Sequence, residues 1–165
     1  MSKTKLRNQD GIKAKGMFRL QLTEDINGET KIVGDSGWKS NQITNLGFND
    51  FLVSALGGIS GSSQVTYMAL GSGGVPVATA TSLSGEVQVR AAVTAATSST
   101  SKSVQFTATF SSANSFVTNT QNISNIGLFA TSTQAGGTLF AGNTYTSSSC
   151  ATNQNVNATY AINFS

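Results

Sequence analysis

Val156-Asn157-Ala158-Thr159-Tyr160-Ala161-Ile162-Asn163-Phe164 alternates without a break. Val156, Ala158, Tyr160, Ile162 and Phe164 share one side, and Asn157, Thr159, Ala161 and Asn163 share the other. A period of two is that of a β-strand with one face in a core and one toward water. The same reading holds for Val104, Phe106, Ala108 and Phe110, which alternate with Gln105, Thr107 and Thr109. It also holds for Phe18, Leu20 and Leu22 against Met17, Arg19 and Gln21. Three one-sided strands from distant parts of the chain predict an antiparallel sheet with one buried face.

Working outward from these strands, Asp25-Ile26-Asn27-Gly28 marks a hairpin, with Thr30 to Val33 as the returning strand. Asn-Gly suits the positive φ angles of a two-residue turn. Val65 to Leu70 is apolar at both parities, which predicts a strand buried on both faces. Gly71 to Ser84 reads as a long loop holding the only proline, Pro76, with its glycines permitting positive φ. Val87, Val89, Ala91, Val93 and Ala95 then keep a period of two, which predicts a further strand. Ile123 to Ala130 and Thr138 to Tyr145 are two more, around Gln134-Ala135-Gly136-Gly137.

One helix is expected near 45–56. Phe48, Phe51, Leu52, Ala55 and Leu56 fall on one α-helical face, with Asn45 as its cap and Gly57-Gly58 as its end. Trp38 is expected to cover the junction just before it. About eight strands and one helix place the chain in the mainly β class, as an antiparallel β-sandwich or barrel. The predicted core includes Phe18, Leu20, Phe51, Leu52, Leu56, Phe106, Phe110, Tyr160, Ile162 and Phe164.

Charge divides the chain unevenly. Of the 17 charged side chains, only Glu86, Arg90 and Lys102 lie beyond residue 50. Residues 1–15 carry Lys3, Lys5, Arg7, Lys13 and Lys15 against the single acid Asp10. They read as an extended basic arm on a single β-rich domain at 16–165. Such an arm suits any acidic surface. No aromatic residue precedes Phe18, so stacking on single-stranded nucleic acid is not expected, and a protein partner is preferred.

Chemistry is sparse. Histidine is absent, which removes the commonest general base and metal ligand. Cys150 is the only cysteine and has no histidine to activate it. Glu24, Asp25 and Glu29 flank a turn and lack the loop pattern of a calcium site. Gly71-Ser72-Gly73-Gly74 is followed by no helix and no Lys-Ser/Thr pair, so it does not read as a phosphate loop. Glu86 and Arg90, four apart on one predicted strand, would stand roughly 13 Å apart and could pair only if the chain bent between them. A structural polar role is expected for both. These readings predict no enzyme, no cofactor and no metal. No apolar run is long enough to predict a membrane helix.

From Trp38 onward the chain resembles a group of phage virion proteins. The residues concerned are the helix Asn45 to Leu56, Met68-Ala69-Leu70-Gly71-Ser72-Gly73, Thr81-Ser82-Leu83, Glu86 and Arg90. Ile126-Gly127-Leu128-Phe129 and Gly136-Gly137-Thr138-Leu139-Phe140-Ala141 follow in the same order. They resemble head-decoration (cement) proteins and domains of phage tail fibres. Similar proteins often carry a glutamate where this chain has Asn125. The resemblance implies a virion structural protein, assembled in the host cytoplasm, that binds the major capsid protein or another virion protein. It favours a homotrimer. A tail-fibre or tail-tip receptor-binding protein is the alternative.

Overall fold

A computed structural model of the chain describes residues 13–58, 60, 61, 63–98, 100–134 and 136–165. The strands are β1 (Ala14–Ile26), β2 (Glu29–Asp35), β3 (Lys39–Ile43), β4 (Tyr67–Gly71), β5 (Ala91–Ala92) and β6 (Thr94–Ser98). They continue with β7 (Ser103–Phe110), β8 (Gln121–Phe129), β9 (Leu139–Cys150) and β10 (Asn155–Phe164). All pair antiparallel in the order β5-β4-β8-β9-β3-β1-β10-β7-β6, with β2 added to β1. The two ends of that path, β5 and β6, are separated in sequence by Val93 alone. The sheet is therefore nearly closed into a barrel.

β1 is the branch point. Its first half pairs with β3, Gly16 opposite Asn41 and Phe18 opposite Lys39. Its second half pairs with β2, with a register shift between Leu22 and Thr23. Along its other edge β10 runs from Ala14↔Phe164 to Thr23↔Asn155. The Asn27-Gly28 turn has φ of 56° and 81°, the left-handed pair that a two-residue hairpin requires. β3 is the strand that sequence reading missed. Lys39-Ser40-Asn41-Gln42-Ile43 has one strongly apolar residue, and its strand character comes from bonding to β1 on one side and β9 on the other.

The inward rows meet as expected. Phe18, Leu20, Phe106, Phe110, Tyr160 and Ile162 are buried in one cluster with Met68, Leu70, Ile126, Leu128 and Phe140. Phe18 stacks on Tyr160 with centroids 5.8 Å apart, and Tyr145 meets Phe18 edge-on at 6.0 Å. Asn41 Nδ2 donates to the Tyr160 hydroxyl, so the largest inward side chain has its polar end satisfied. Phe164 and Leu52 are half-buried against this core. The Leu56 side chain lies outside the described residues. β4 is buried at both parities. Met68 and Leu70 face the barrel, while Ala69 faces a second cluster with Leu83, Phe129 and Leu139.

The helix differs from expectation. Gly47–Val53 is a π-helix that runs into one α-helical turn, Ser54–Leu56. The Ser54 amide bonds back to Asn49 O, five residues earlier. A wider turn rotates the apolar stripe, so Phe51 is buried while Phe48 is exposed. Asn45 does not cap it. The Thr44 hydroxyl accepts from the Gly47 amide at 2.9 Å instead. Gly47 is needed for approach, because a β-carbon there would meet the Phe140 carbonyl. Trp38 does not cover the junction either; it remains 46 % exposed.

The strand expected over 87–95 is broken. Val87 bonds to Leu70 O, Val93 to Thr66 O, and only Ala91–Ala92 is strand before β6. The long loop is ordered by close approach rather than by positive φ, since none of Gly71, Gly73 and Gly74 is left-handed. The Ser72 and Gly73 amides donate to Gly85 O and Ser84 O, both at 3.0 Å. A β-carbon on Gly71 would come within 2.5 Å of Asn125 Oδ1. The glycines thus let two stretches of backbone lie against each other over β8.

Burial ranks the aromatic residues energetically. Phe18→Ala should cost about 3–5 kcal/mol, as for a fully buried aromatic. Phe164→Ala, at the half-buried end of the same sheet, should cost less than half as much. Urea unfolding of both variants checks the order, and an equal loss would contradict it.

Candidate functional site

The predicted polar pair is the best-built site in the molecule. The chain bends between Glu86 and Arg90, so the two meet instead of standing apart. Arg90 Nε donates to Glu86 Oε1 at 2.5 Å and Nη2 to Oε2 at 3.0 Å, a bidentate pair. Arg90 Nη1 donates to Thr131 O at 2.9 Å. The guanidinium lies 3.6 Å over the centre of the Phe129 ring. Both side chains are almost fully buried. Gln134 Nε2 donates to Glu86 O at 3.0 Å, which ties the 131–134 loop to the bend.

Nearby, Asn125 is fully buried. Its Nδ2 donates to Ser84 O at 2.9 Å and Gly74 O at 3.3 Å. Both partners are carbonyls, so the position uses a donor. A carboxylate would set an acceptor against acceptors, which accounts physically for an amide here. The arrangement can lock a loop. It presents no exposed acid or base for proton transfer.

The basic residues are only partly in view. Lys3, Lys5 and Arg7 lie outside the described residues. Lys13 and Lys15 are exposed; Lys15 lies in β1, and Lys13 immediately precedes it, bonded to the end of the chain. The Lys13 amide donates to Ser165 O at 2.8 Å, and Lys15 sits in β1 opposite Asn163. Lys102 joins the same end, since its carbonyl accepts from the Phe164 amide. The acids Glu24, Asp25 and Glu29 gather at the far tip, roughly 30 Å away along β1. There Glu24 accepts from Asn153 and Gln154, and Asp25 from Thr30, as befits a solvated turn. No group of three or more metal-binding side chains occurs among the described residues.

Sequence reading missed a set of apolar side chains that stay exposed near these strands. Met17, Ile26, Ile32, Val33 and Trp38 are large apolar side chains left exposed on β1, β2 and the turn into β3. Ile32 is 58 % exposed. The turn that carries Trp38 is firmly held. Asp35 Oδ1 accepts from the Gly37 amide at 2.9 Å, and Ser36 Oγ accepts from the Leu20 amide at 2.9 Å. Arg19 forms a bidentate pair with Asp35. That hydrogen bond holds the Asp35 carboxyl well below the usual carboxylate range. Ile32 and Val33 are adjacent in a short strand, so periodicity could not show that both would be left in water.

The outward face of β7 and β10, next to β1 in the sheet, is uncharged. Thr94, Thr107, Thr109, Asn157 and Thr159 line an open hollow of about 320 Å³. Thr109 Oγ1 donates to Asn157 Oδ1 at 2.8 Å. Cys150 is buried, and desolvation pushes its thiol up to about 11.

The chain matches no family model, no curated protein and no solved structure.

Two outcomes follow from this chemistry. Arg90→Met should cost about 3–5 kcal/mol, because it leaves a buried carboxylate without its guanidinium. Adding Glu86→Gln should recover part of that loss, and a double-mutant cycle in urea measures it. Cys150 should resist a thiol-specific reagent at pH 8 and react only on unfolding, since both burial and the raised pKa suppress the thiolate. Rapid labelling of the folded protein would contradict that assignment.

Proposed function

We propose that this chain is a non-enzymatic phage virion structural protein, and specifically a capsid decoration protein that binds and stabilises the major capsid shell. The observation that carries this reading is a set of exposed apolar side chains on a sheet with one basic end. Large apolar side chains are left exposed on β1, β2 and the turn to β3, as they also are at Phe48, Val53, Val75 and Val77, while Lys13, Lys15 and Lys102 make one end of the sheet basic. Interfaces combine exposed anchors of this kind with a polar rim. Ile32, Val33 and Trp38 are the anchors, and Lys3, Lys5 and Arg7 add positive charge for an acidic capsid surface. Bridging neighbouring capsid subunits stabilises the shell by mass action. The order of motifs, which resembles that of head-decoration proteins, agrees with the same reading.

Self-association fits the uncharged face of β7 and β10. Its threonine and asparagine side chains carry no charge to keep copies apart, and such groups can satisfy one another across an interface. A homotrimer formed through this wall is part of the proposal. The second reading, a tail-fibre or tail-tip receptor-binding protein, draws on the same hollow. Its cluster of hydroxyls and one amide suits a neutral hydroxylated ligand such as a glycan.

Copy number separates the two readings. Quantified against the major capsid protein in purified virions, a decoration protein is present in near-stoichiometric amount and a tail protein in a handful of copies. Deleting residues 1–9 should weaken attachment to particles. Added salt should reproduce part of that loss, since exposed charges are screened within about 8–10 Å near physiological ionic strength. Unchanged binding of the truncated protein would remove the arm from the interface. Thr107→Lys should dissociate the oligomer with the fold intact, as read by sedimentation.

A further inference from the structure

The β1–β2 hairpin outruns the rest of the sheet. β10 accompanies β1 only as far as Thr23↔Asn155, and β2 pairs with no strand other than β1. The last three pairs, Glu24↔Lys31, Asp25↔Thr30 and Ile26↔Glu29, therefore form a two-stranded ribbon beyond the register shift at Leu22/Thr23. Side-chain bonds from Asn153 and Gln154 tie down its base at Glu24. Every residue from Asp25 to Val33 is exposed, so neither face of the ribbon is packed on the core. Within it the Thr30 hydroxyl donates to Asp25 Oδ1 at 2.7 Å, and Lys31 Nζ stands 3.8 Å from Glu29 Oε2. Exposed contacts of this kind add little stability, and a two-stranded ribbon without a third strand is marginal in water. The tip thus belongs to the part of the fold that opens most easily.

At that tip stands Asn27-Gly28, the one Asn-Gly step in the chain. Both residues are left-handed, with φ of 56° and 81°. A β-carbon on Gly28 would have no atom within 4 Å, so the peptide between them faces open solvent. Glycine also brings no side chain to obstruct attack by its own nitrogen on the preceding carboxamide. Ring closure needs Asn27 to rotate about its Cα–C bond out of the left-handed turn, so the reaction waits on local opening.

We propose that Asn27 is a self-modification site, where easy opening of the ribbon tip permits deamidation. The Gly28 amide nitrogen gives its proton to solvent and attacks Asn27 Cγ. The new C–N bond closes a cyclic imide, and the side-chain nitrogen leaves as ammonia. Water then adds to one imide carbonyl and breaks its bond to the ring nitrogen. Opening at the side-chain carbonyl gives aspartate, and opening at the main-chain carbonyl gives isoaspartate. Nothing is oxidised or reduced, and water is the only co-reactant. Either product adds a negative charge beside Glu24, Asp25 and Glu29. Isoaspartate also lengthens the main chain by one carbon, which a two-residue turn cannot absorb with Ile26 still opposite Glu29. This inference does not depend on the virion reading.

Incubating the full-length protein at pH 8 and 37 °C beside a free peptide of residues 24–31 tests it. Digestion with pepsin and mass spectrometry read the gain in mass at Asn27, and an isoaspartyl methyltransferase labels the isoaspartate. The protein should react within about tenfold of the peptide's rate, which corresponds to an opening cost below about 1.4 kcal/mol. A slower reaction would overturn the proposal, because the folded turn would then protect Asn27. The opening route is checked in a Cys150→Ser background carrying Asp25→Cys and Thr30→Cys, which face each other across the ribbon. With the disulfide formed, deamidation should slow several-fold relative to the reduced form of the same variant. Equal rates in the two forms would overturn control by opening of the tip.

Discussion

Closure of the barrel depends on one crossing. β5 and β6 stand at opposite edges of the sheet, yet only Val93 joins them. At Val93 the amide bonds to Thr66 O, and the next residue already pairs with β7. A crossing this short works only if the chain arrives at a fixed point and angle. The Glu86–Arg90 pair supplies that. It folds the five residues before β5 into a bend, pins the bend to Thr131, and sets it on Phe129. Without the bend, the alternating residues from Val87 would run on as one strand and leave two bare edges.

Burying an ion pair is costly, and here each guanidinium nitrogen has a hydrogen-bond partner. The glycine-rich loop and Asn125 continue the same lock on the outer face of β8. Close backbone approach at Gly71 and Gly73, and two amide-to-carbonyl bonds from Asn125, hold the loop over Leu83 and Phe129. One half of the barrel therefore has cores on both faces. The other half has a single core and an outer wall of threonine and asparagine.

Alternation made β1, β7 and β10 legible, because each has one dry and one wet face and no bulge at its centre. The Asn27-Gly28 turn was legible because few other residues accept two left-handed angles in succession. β3 was not, since it is polar throughout and owes its place to neighbours on both sides. The helix was legible as a helix, but its π-type winding was not. The helix start also packs where a β-carbon on Gly47 would meet the Phe140 carbonyl, a proximity between residues far apart in the chain. The strand expected at 87–95 shows the converse error. A perfect period of two was overridden by one ion pair whose partners sit at i and i+4.

The sequence by itself determined the mainly β class, the antiparallel pairing and most of the inward rows, because those depend on side-chain period and turn chemistry. It also determined the split between a charged leader and a neutral body. The tertiary structure alone decided that the sheet closes into a barrel, that Glu86 meets Arg90, and that Ile32, Val33 and Trp38 stay in water. Each of those outcomes rests on which distant segments share the same space, and no local pattern of residues encodes that.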